Sequence, residues 1–204
     1  MAYKFKKFED ITYKITPDGV ALALDLYTPD PVPEAPMPCA LFFHGGGWRE
    51  GSKRDLWGFP LIIDELLPRG IAVASASYRL YGVNGGKFPD SIEDCLDALI
   101  FLDKMDSPKI NPARKGVFGI SAGGYCALMS AFYQHIADKH TDICVIADMC
   151  GPVYMQQSKI ESLVHTPPTT AGFIRDFMAG KDFGTSCNAV DIMQDSSLRP
   201  SLLI

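Results

Sequence analysis

The sequence predicts an α/β protein with a mostly parallel, doubly wound sheet and helices on both faces. Residues 39–43 (CALFF) form a continuous apolar run, which is typical of a strand buried on both faces. Residues 91–105 repeat apolar side chains at helical spacing, which predicts an amphipathic helix. Because such strand and helix segments alternate along the chain, we expect parallel strands joined by crossover helices.

Local patterning predicts the other elements. The runs ITYKI and VALALDLY, joined by Pro17-Asp18-Gly19, predict an N-terminal hairpin. The proline-rich stretch from Pro29 to Pro38 is then a surface loop rather than an interdomain linker. The remaining predicted elements are a helix at 59–69, strands at 71–77 and 116–120, a buried helix at 122–137, a strand at 143–149 and the start of another at 201–204.

Length, charge and hydrophobicity indicate which classes of partner and which location we expect. The 204 residues fit one domain, and the net charge of −5 comes without any basic run, so neither nucleic acid nor a membrane surface is an expected partner. No apolar stretch approaches the ~18 residues that a membrane span needs. The N-terminus lacks the apolar region of a signal peptide, which favours a cytoplasmic location.

The six cysteines are predicted to be free thiols. They are dispersed, and no C-x-x-C pair or His/Cys cluster indicates a metal site. Cys39, Cys126 and Cys144 lie in apolar runs, so we expect these three to be buried.

The first chemical motif is Gly119-Ile120-Ser121-Ala122-Gly123, a G-x-S-x-G sequence between a predicted strand and a predicted helix. A sharp turn there holds the serine in a strained conformation, and the flanking glycines leave room for the crossing. The start of the helix offers free N–H groups and a partial positive charge. Ser121 is therefore the predicted nucleophile.

The second motif, His44-Gly45-Gly46-Gly47-Trp48, directly follows the strand at 39–43. Acyl transfer needs N–H donors aimed at an oxyanion, and glycines let the backbone approach closely. We assign the donors to Gly46, Gly47 and Ala122. A phosphate-binding loop would need a following Lys-Ser/Thr or a G-x-G-x-x-G register, and neither is present.

These motifs resemble a known family. HGGGW, Tyr78-Arg79-Leu80, Phe88-Pro89 and the G-x-S-A-G-G sequence look like the hormone-sensitive-lipase-like and acetyl-esterase-like carboxylesterases of the α/β-hydrolase superfamily. The likeness runs from about residue 10 to the last residue. It implies a Ser-Asp-His triad, no metal, no organic cofactor and a small-molecule ester substrate. It also implies that His44 shapes the oxyanion loop rather than acting as a base.

The chain departs from the family pattern at its end. In the family the acid follows the strand that begins near Leu202, and the histidine follows one strand later. We therefore expect the domain at 1–204 to be incomplete by roughly 50–70 residues. Residues 152–185 follow a strand end on the active side and are interpreted as a cap-like or lid-like insertion. Because strands and helices are missing, we expect an open sheet edge and exposed apolar surface in these 204 residues.

Three other histidines are candidates for the base. His135 and His140 lie 14 and 19 residues beyond Ser121 along the chain; at ~1.5 Å per residue His135 is about 20 Å away, which excludes it if the helix is straight. Asp148 and His165 keep the required Ser-Asp-His order with Ser121. The alternative for that pair is a polar strand terminus and an exposed loop residue.

The predicted function is hydrolysis of short-chain, acetyl-type carboxylic esters through an acyl-enzyme on Ser121. The alternatives are an amide hydrolase, such as an arylformamidase or peptidase, and a non-catalytic member of the family. The candidate pocket walls are Trp48, Tyr81, Phe88 and Tyr154, for which core packing is the competing interpretation. Arg79 and Asp94 are expected to pair beneath the site. Oligomeric state is not predicted.

Overall fold

A seven-stranded sheet organises the chain. The computed structural model describes residues 4–55, 59–156, 160, 168–181, 183–195 and 201–203. The strands are β1 Phe5–Ile15, β2 Ala21–Pro29, β3 Met37–Phe43, β4 Ala72–Ala76, β5 Ile110–Ile120, β6 Val145–Met149 and β7 Ser201–Leu203. The helices are α1 Phe59–Leu66, α2 Asp90–Asp103, α3 Ala122–Phe132, α4 Pro168–Phe177 and α5 Ala189–Asp195.

The strand order confirms the predicted doubly wound topology. Across the sheet it is β1-β2-β4-β3-β5-β6-β7. β1 and β2 form the predicted antiparallel hairpin, and β2 also pairs antiparallel with β4. Every pair from β4 through β7 is parallel. The carboxyl ends of β3, β5 and β6 therefore meet at one edge of the sheet, where ligands bind in such folds.

Two hydrophobic clusters cover the two faces of the sheet. Leu41 and Phe43 of β3 belong to the larger cluster, together with residues of α2 and α3. Phe42, between them in sequence, belongs to a smaller cluster with Ile63 of α1. This alternation is what a strand buried on both faces requires. All eleven residues of α3 are buried, as its sequence predicts.

Several boundaries differ from the predictions. β5 begins at Ile110 rather than at residue 116, because Ile110 already pairs with Met37 of β3, ahead of the register shift that precedes the Cys39–Lys115 pair. α3 ends at Phe132, and a 3₁₀ turn at Tyr133–His135 completes the segment that was predicted to be helical up to residue 137. Within the described residues, no helix is long and apolar enough to cross a membrane.

The prediction for the cysteines is correct with one exception. All six are free, and Cys39 and Cys126 are buried as expected, but Cys144 is exposed. It immediately precedes β6, next to Val145, whose side chain is also exposed. The apolar character of the run 143–149 therefore does not bury all of its members, because the described residues leave one side of β6 largely uncovered.

Candidate active site

Ser121 occupies the sharp turn between β5 and α3. Its backbone has φ 53° and ψ −121°, a combination that non-glycine residues rarely adopt, and its side chain is exposed. The Ser121 N–H donates to the Met149 carbonyl oxygen at 2.8 Å, and its own carbonyl oxygen accepts from Gly124 N–H at 2.9 Å. These hydrogen bonds hold the strained turn in place from both sides.

The glycines around Ser121 allow α3 to cross the sheet closely. A Cβ atom on Gly119 would lie 2.1 Å from the carbonyl oxygen of Gly123, and one on Gly123 would lie 2.1 Å from that of Phe43. Neither contact is sterically possible, so only glycine fits at these positions. The close crossing brings the start of α3, and with it the Ala122 N–H, beside Ser121.

The glycine run after β3 lies against this turn. A Cβ on Gly45 would come within 3.5 Å of the Ser121 Cβ atom. Gly46 has φ 109°, and its carbonyl oxygen accepts hydrogen bonds from the N–H groups of Arg49 and Glu50 at 3.0 and 3.2 Å. Among the backbone hydrogen bonds of the described residues, none uses the N–H of Gly46 or Gly47. Neither group therefore has a backbone acceptor within the described residues.

His44 is a packing residue in this arrangement. It is only 1% exposed, and its ring stacks on Tyr78 with 4.5 Å between centroids. The Tyr78 hydroxyl donates to the His44 carbonyl oxygen at 2.7 Å. Burial lowers the pKa of His44, so the ring is held neutral. These contacts fit a role in shaping the loop and not in proton transfer.

A buried ion pair anchors the far end of the same loop. The Lys53 ammonium contacts the fully buried carboxylate of Asp25 on β2 at 2.5 Å and that of Asp10 on β1 at 2.7 Å. The Lys53 backbone N–H donates to Ser77 Oγ, and its carbonyl oxygen accepts from Ser75 Oγ. Lys53 is therefore bound to three strands at once.

Gly51 links the ion pair at Lys53 to the glycine run, because it packs against His44 and Gly45. A Cβ on Gly51 would lie 2.4 Å from His44 Nδ1 and 2.9 Å from the Gly45 carbonyl oxygen. Lys53 follows two residues later, so its anchorage fixes where the loop returns against His44. Nothing in the local sequence indicated this network, because its partners are 28 and 43 residues away along the chain.

A cavity of about 560 Å³ opens beside Ser121. Its walls are formed by the glycine-rich loop after β3, the end of β5 and two acidic residues. The lining residues are Gly45, Gly46, Glu50, Gly51, Asp55, Ile120 and Ser121. A volume of this size accommodates a small ligand.

The four predicted pocket-wall residues fall into two groups, two that are buried and two that are half-buried. Trp48 and Phe88 are each 2% exposed and pack into an aromatic cluster around Phe177, away from the cavity. Tyr81 is half-buried and joined to the loop through its N–H, which donates to the Trp48 carbonyl oxygen at 2.7 Å. Tyr154 is also half-buried. A substrate role for either tyrosine stays a prediction.

Asp148 lies close to the turn at Ser121, at the end of β6. It pairs in register with Gly119, and its Oδ1 atom accepts from Gly151 N–H at 2.8 Å. Its Oδ2 atom is buried, with no hydrogen-bond partner among the residues described. Burial raises the pKa of this carboxyl above its ordinary value, against the opposing effect of the Gly151 hydrogen bond. Asp148 is thus a desolvated carboxyl beside the site.

The other two described histidines, His135 and His140, contact groups other than Ser121. His135 follows α3, which begins beside Ser121 and is 11 residues or about 16 Å long, and its Nδ1 atom contacts the Phe132 carbonyl oxygen at 3.0 Å. His140 has a largely exposed side chain 3.5 Å from Asp142. His165, the third candidate, lies outside the described residues. The predicted pairing of Arg79 with Asp94 is confirmed, with Arg79 Nε 2.7 Å from Asp94 Oδ2.

Comparisons with known proteins give a matching family model and similar solved structures. The BD-FAE family matches residues 24–175. Esterase B from Lactobacillus Rhamnosis superimposes with a TM-score of 0.75 at 22% identity, over 97% of this chain and 64% of that one. At that identity the likeness shows the fold.

Two curated relatives bear on different parts of the chain. The non-reducing polyketide synthase stbA of Stachybotrys bisbyi is 29% identical over 96% of this chain, which corresponds to 9% of its own length. Rabbit (Oryctolagus cuniculus) arylacetamide deacetylase is 38% identical over 42% of this chain and 22% of its own length. The chain therefore spans only a minor part of these relatives, and less than two thirds of the esterase.

Proposed function

The chain belongs to the BD-FAE family, and on that premise we propose that it is a serine hydrolase of carboxylic esters. The observation that carries the proposal is the geometry of Ser121. An exposed serine in a strained turn, at the start of a buried helix and against a glycine run with free N–H groups, is suited to nucleophilic attack. The acyl group that we propose is short and acetyl-type, which is the preference that the sequence resemblance implies.

The proposed reaction has two balanced steps. Ser121 Oγ bonds to the ester carbonyl carbon while its proton passes to a histidine base, and the N–H groups of Gly46, Gly47 and Ala122 bind the oxyanion. The bond to the alcohol then breaks, and the alcohol leaves with that proton. Water next attacks the acyl-enzyme and gives a proton to the base, which returns it to Ser121 as the acid leaves.

The base of this reaction is proposed to lie outside the described residues. His44, His135 and His140 are engaged elsewhere in the structure. Two sources remain: His165, with Asp148 as its acid, or a histidine in polypeptide that is not among these 204 residues. Replacing His165 by alanine separates them, because loss of serine reactivity identifies His165, whereas unchanged reactivity assigns the base to other polypeptide.

Labelling with a fluorophosphonate probe tests the nucleophile directly. We expect covalent labelling that is abolished by Ser121→Ala and retained by Ser130→Ala, which changes a buried serine on the same helix. The experiment uses the longest natural polypeptide in which the chain occurs. Absence of labelling in that polypeptide would overturn the proposal and favour a non-catalytic member of the family.

An amide hydrolase is the second candidate. Similarity to an arylacetamide deacetylase favours it, and every residue of the proposed mechanism would serve both reactions. The discriminating measurement compares kcat/KM for a p-nitrophenyl ester and a p-nitroanilide that carry the same acyl group. A preference for the anilide would replace ester hydrolysis by amide hydrolysis as the proposed reaction.

A further inference from the structure

An aromatic side chain from α4 lies on the oxyanion loop. A Cβ atom added to Gly47 would be only 2.8 Å from Cδ2 of Phe173 and 3.1 Å from its Cγ, so the ring packs directly on that glycine. Phe173 nevertheless remains 40% exposed. One part of the ring thus contacts a proposed oxyanion donor, and another part faces open space.

An ion pair holds Phe173 in this position. Arg49, two residues after Gly47, pairs with Asp176 of α4. The Arg49 guanidinium carbon lies 5.6 Å from the ring centroid of Phe173 and 5.6 Å from that of Tyr81. Both distances suit a cation–π interaction. Arg49 therefore joins the helix, the loop after β4 and the oxyanion loop.

The end of α4 has a second, apolar anchor. The Phe177 ring stacks on Trp48 with 4.5 Å between centroids, and the Phe177 carbonyl oxygen accepts from Phe88 N–H at 2.9 Å. Phe177 is fully buried, one helical turn after Phe173. Because residues four apart share a face of a helix, this anchor presents Phe173 on the side that meets the oxyanion loop.

We infer that Phe173 is a specificity-determining residue, which limits the size of the substrate group that extends past Gly47. The inference rests on the proposed function. An ester bound by its carbonyl oxygen sends its acyl and alcohol groups in different directions from the carbonyl carbon. The cavity at Gly45 and Gly46 can receive one of them, and the other must pass the Phe173 ring.

The test compares Phe173→Ala and Phe173→Leu with the parent protein. The control is Phe5→Ala, which removes a similarly exposed ring (46%) from β1. The kcat/KM values are measured for two series of esters, one with growing acyl chains and one with growing alcohols. We expect Phe173→Ala to raise the ratio of large to small substrates about tenfold in one series, the scale of a single pocket contact. Phe173→Leu should produce a smaller change, and Phe5→Ala none.

Three outcomes are distinguishable. A change of the ratio in one series supports the inference and identifies which group passes Phe173. A uniform loss of kcat/KM across both series, or no change in the ratio, overturns the inference. The proposed function still stands in that case if the fluorophosphonate probe labels Ser121. Absence of that labelling in the parent protein overturns both.

A second experiment tests whether the Arg49–Asp176 ion pair positions Phe173. Asp176→Asn weakens the hold on α4 without touching the ring, so the ratio should shift in the same direction as in Phe173→Ala but by a smaller factor. Combining the two substitutions should add little to Phe173→Ala alone, because both act through one side chain. Additive effects of the two substitutions on the ratio would contradict the positioning role.

Discussion

Because Gly124 has no side chain, α3 can approach the end of β6 closely. A Cβ atom there would lie 1.9 Å from Asp148 Oδ1. We expect Gly124→Ala to lower the free energy of unfolding by about 1–3 kcal/mol, since an added methyl group in packed surroundings forces the backbone to shift. Denaturant unfolding measures the loss, and fluorophosphonate labelling shows whether the shift reaches Ser121.

Gly172→Ala is the matched control for that substitution. Gly172 lies within α4, where the nearest atom to an added Cβ is Arg175 Nη2 at 3.9 Å. Because alanine is favoured over glycine in a helix by up to ~1 kcal/mol, this variant should be as stable as the parent or more so. Equal destabilisation of the two variants would contradict the close contact at Gly124.

Asp148 makes stability depend on pH. Burial raises the pKa of its carboxyl, so the folded chain binds this proton more tightly than the unfolded chain does. The resulting stabilisation is complete at low pH and is lost as the pH rises through the folded-state value. Asp148→Asn stays neutral throughout. Its free energy of unfolding, relative to that of the parent, should therefore increase as the pH rises above about 4.

The same variant also tests a catalytic role. If Asp148 orients a histidine, Asp148→Asn should lower the labelling rate of Ser121 by several orders of magnitude while the fold remains stable. If it only packs against Gly124 and Gly151, labelling should stay near the parent rate. A flat difference in stability across that pH range would show that the carboxyl is not desolvated.

The loop from His44 to Asp55 depends on the anchor at Lys53. Lys53→Met removes the cation closest to the buried Asp25 carboxylate and leaves only the longer contacts, to Lys7 at 3.4 Å and Arg54 at 4.0 Å. The loss of this buried partner should cost up to about 3–5 kcal/mol of unfolding free energy. Arg54→Met removes an exposed partner of Asp10 and should cost about 0–1 kcal/mol. Thermal unfolding of the two variants provides the comparison. Similar losses would contradict a buried anchor.

Acid should weaken the same anchor. Burial would raise the pKa of Asp25, but the hydrogen bonds from Lys53 and the Asp10 N–H outweigh it and lower the pKa. The stability that Asp25 contributes is therefore present above its unfolded value of about 3.9 and is lost as the pH falls through the folded value. In Lys53→Met this acid-dependent loss should be smaller, because the main cause of the lowered pKa is absent.

The elements differ in how far the sequence alone could predict them. The turn at Ser121 and the glycine run are specified within five residues each, so they could be identified from the sequence. The Lys53–Asp25 pair and the packing of Phe173 on Gly47 depend on contacts across the fold, and no local pattern encodes them. The burial of Trp48 and Phe88 could not be predicted either, because an aromatic residue beside a glycine-rich motif can line a pocket or pack into the core.

Over the whole molecule, the two faces of the sheet are covered unequally. α2 and α3 pack on the face that bears the larger cluster, whereas on the other face α1 packs near β4. Next to α1, a groove of about 430 Å³ is lined by apolar residues of β3, β5 and β6. Val145 and Met149 at this groove are each 37% exposed. The described residues thus leave an apolar patch open.

That patch should bind an apolar dye. We expect Val145→Glu and Met149→Glu to lower the fluorescence of bound anilinonaphthalene sulfonate, because each places a negative charge on the open face and repels the anionic dye. Ile136→Glu, which changes another exposed apolar residue (42%) at the end of the α3 segment, is the control and should have little effect. Equal reduction by all three variants would show that the dye binds elsewhere.

Cys144 gives this face a natural reporter. Its thiol is exposed at the rim of the groove, whereas Cys39, which also lines the groove, is buried. Alkylation of Cys144 should therefore be fast while the face is open and slow once any polypeptide settles on it. Cys150 is exposed as well but does not line the groove, so it supplies an internal reference in the same sample. The ratio of the two alkylation rates would therefore report whether the groove is covered, without an introduced cysteine.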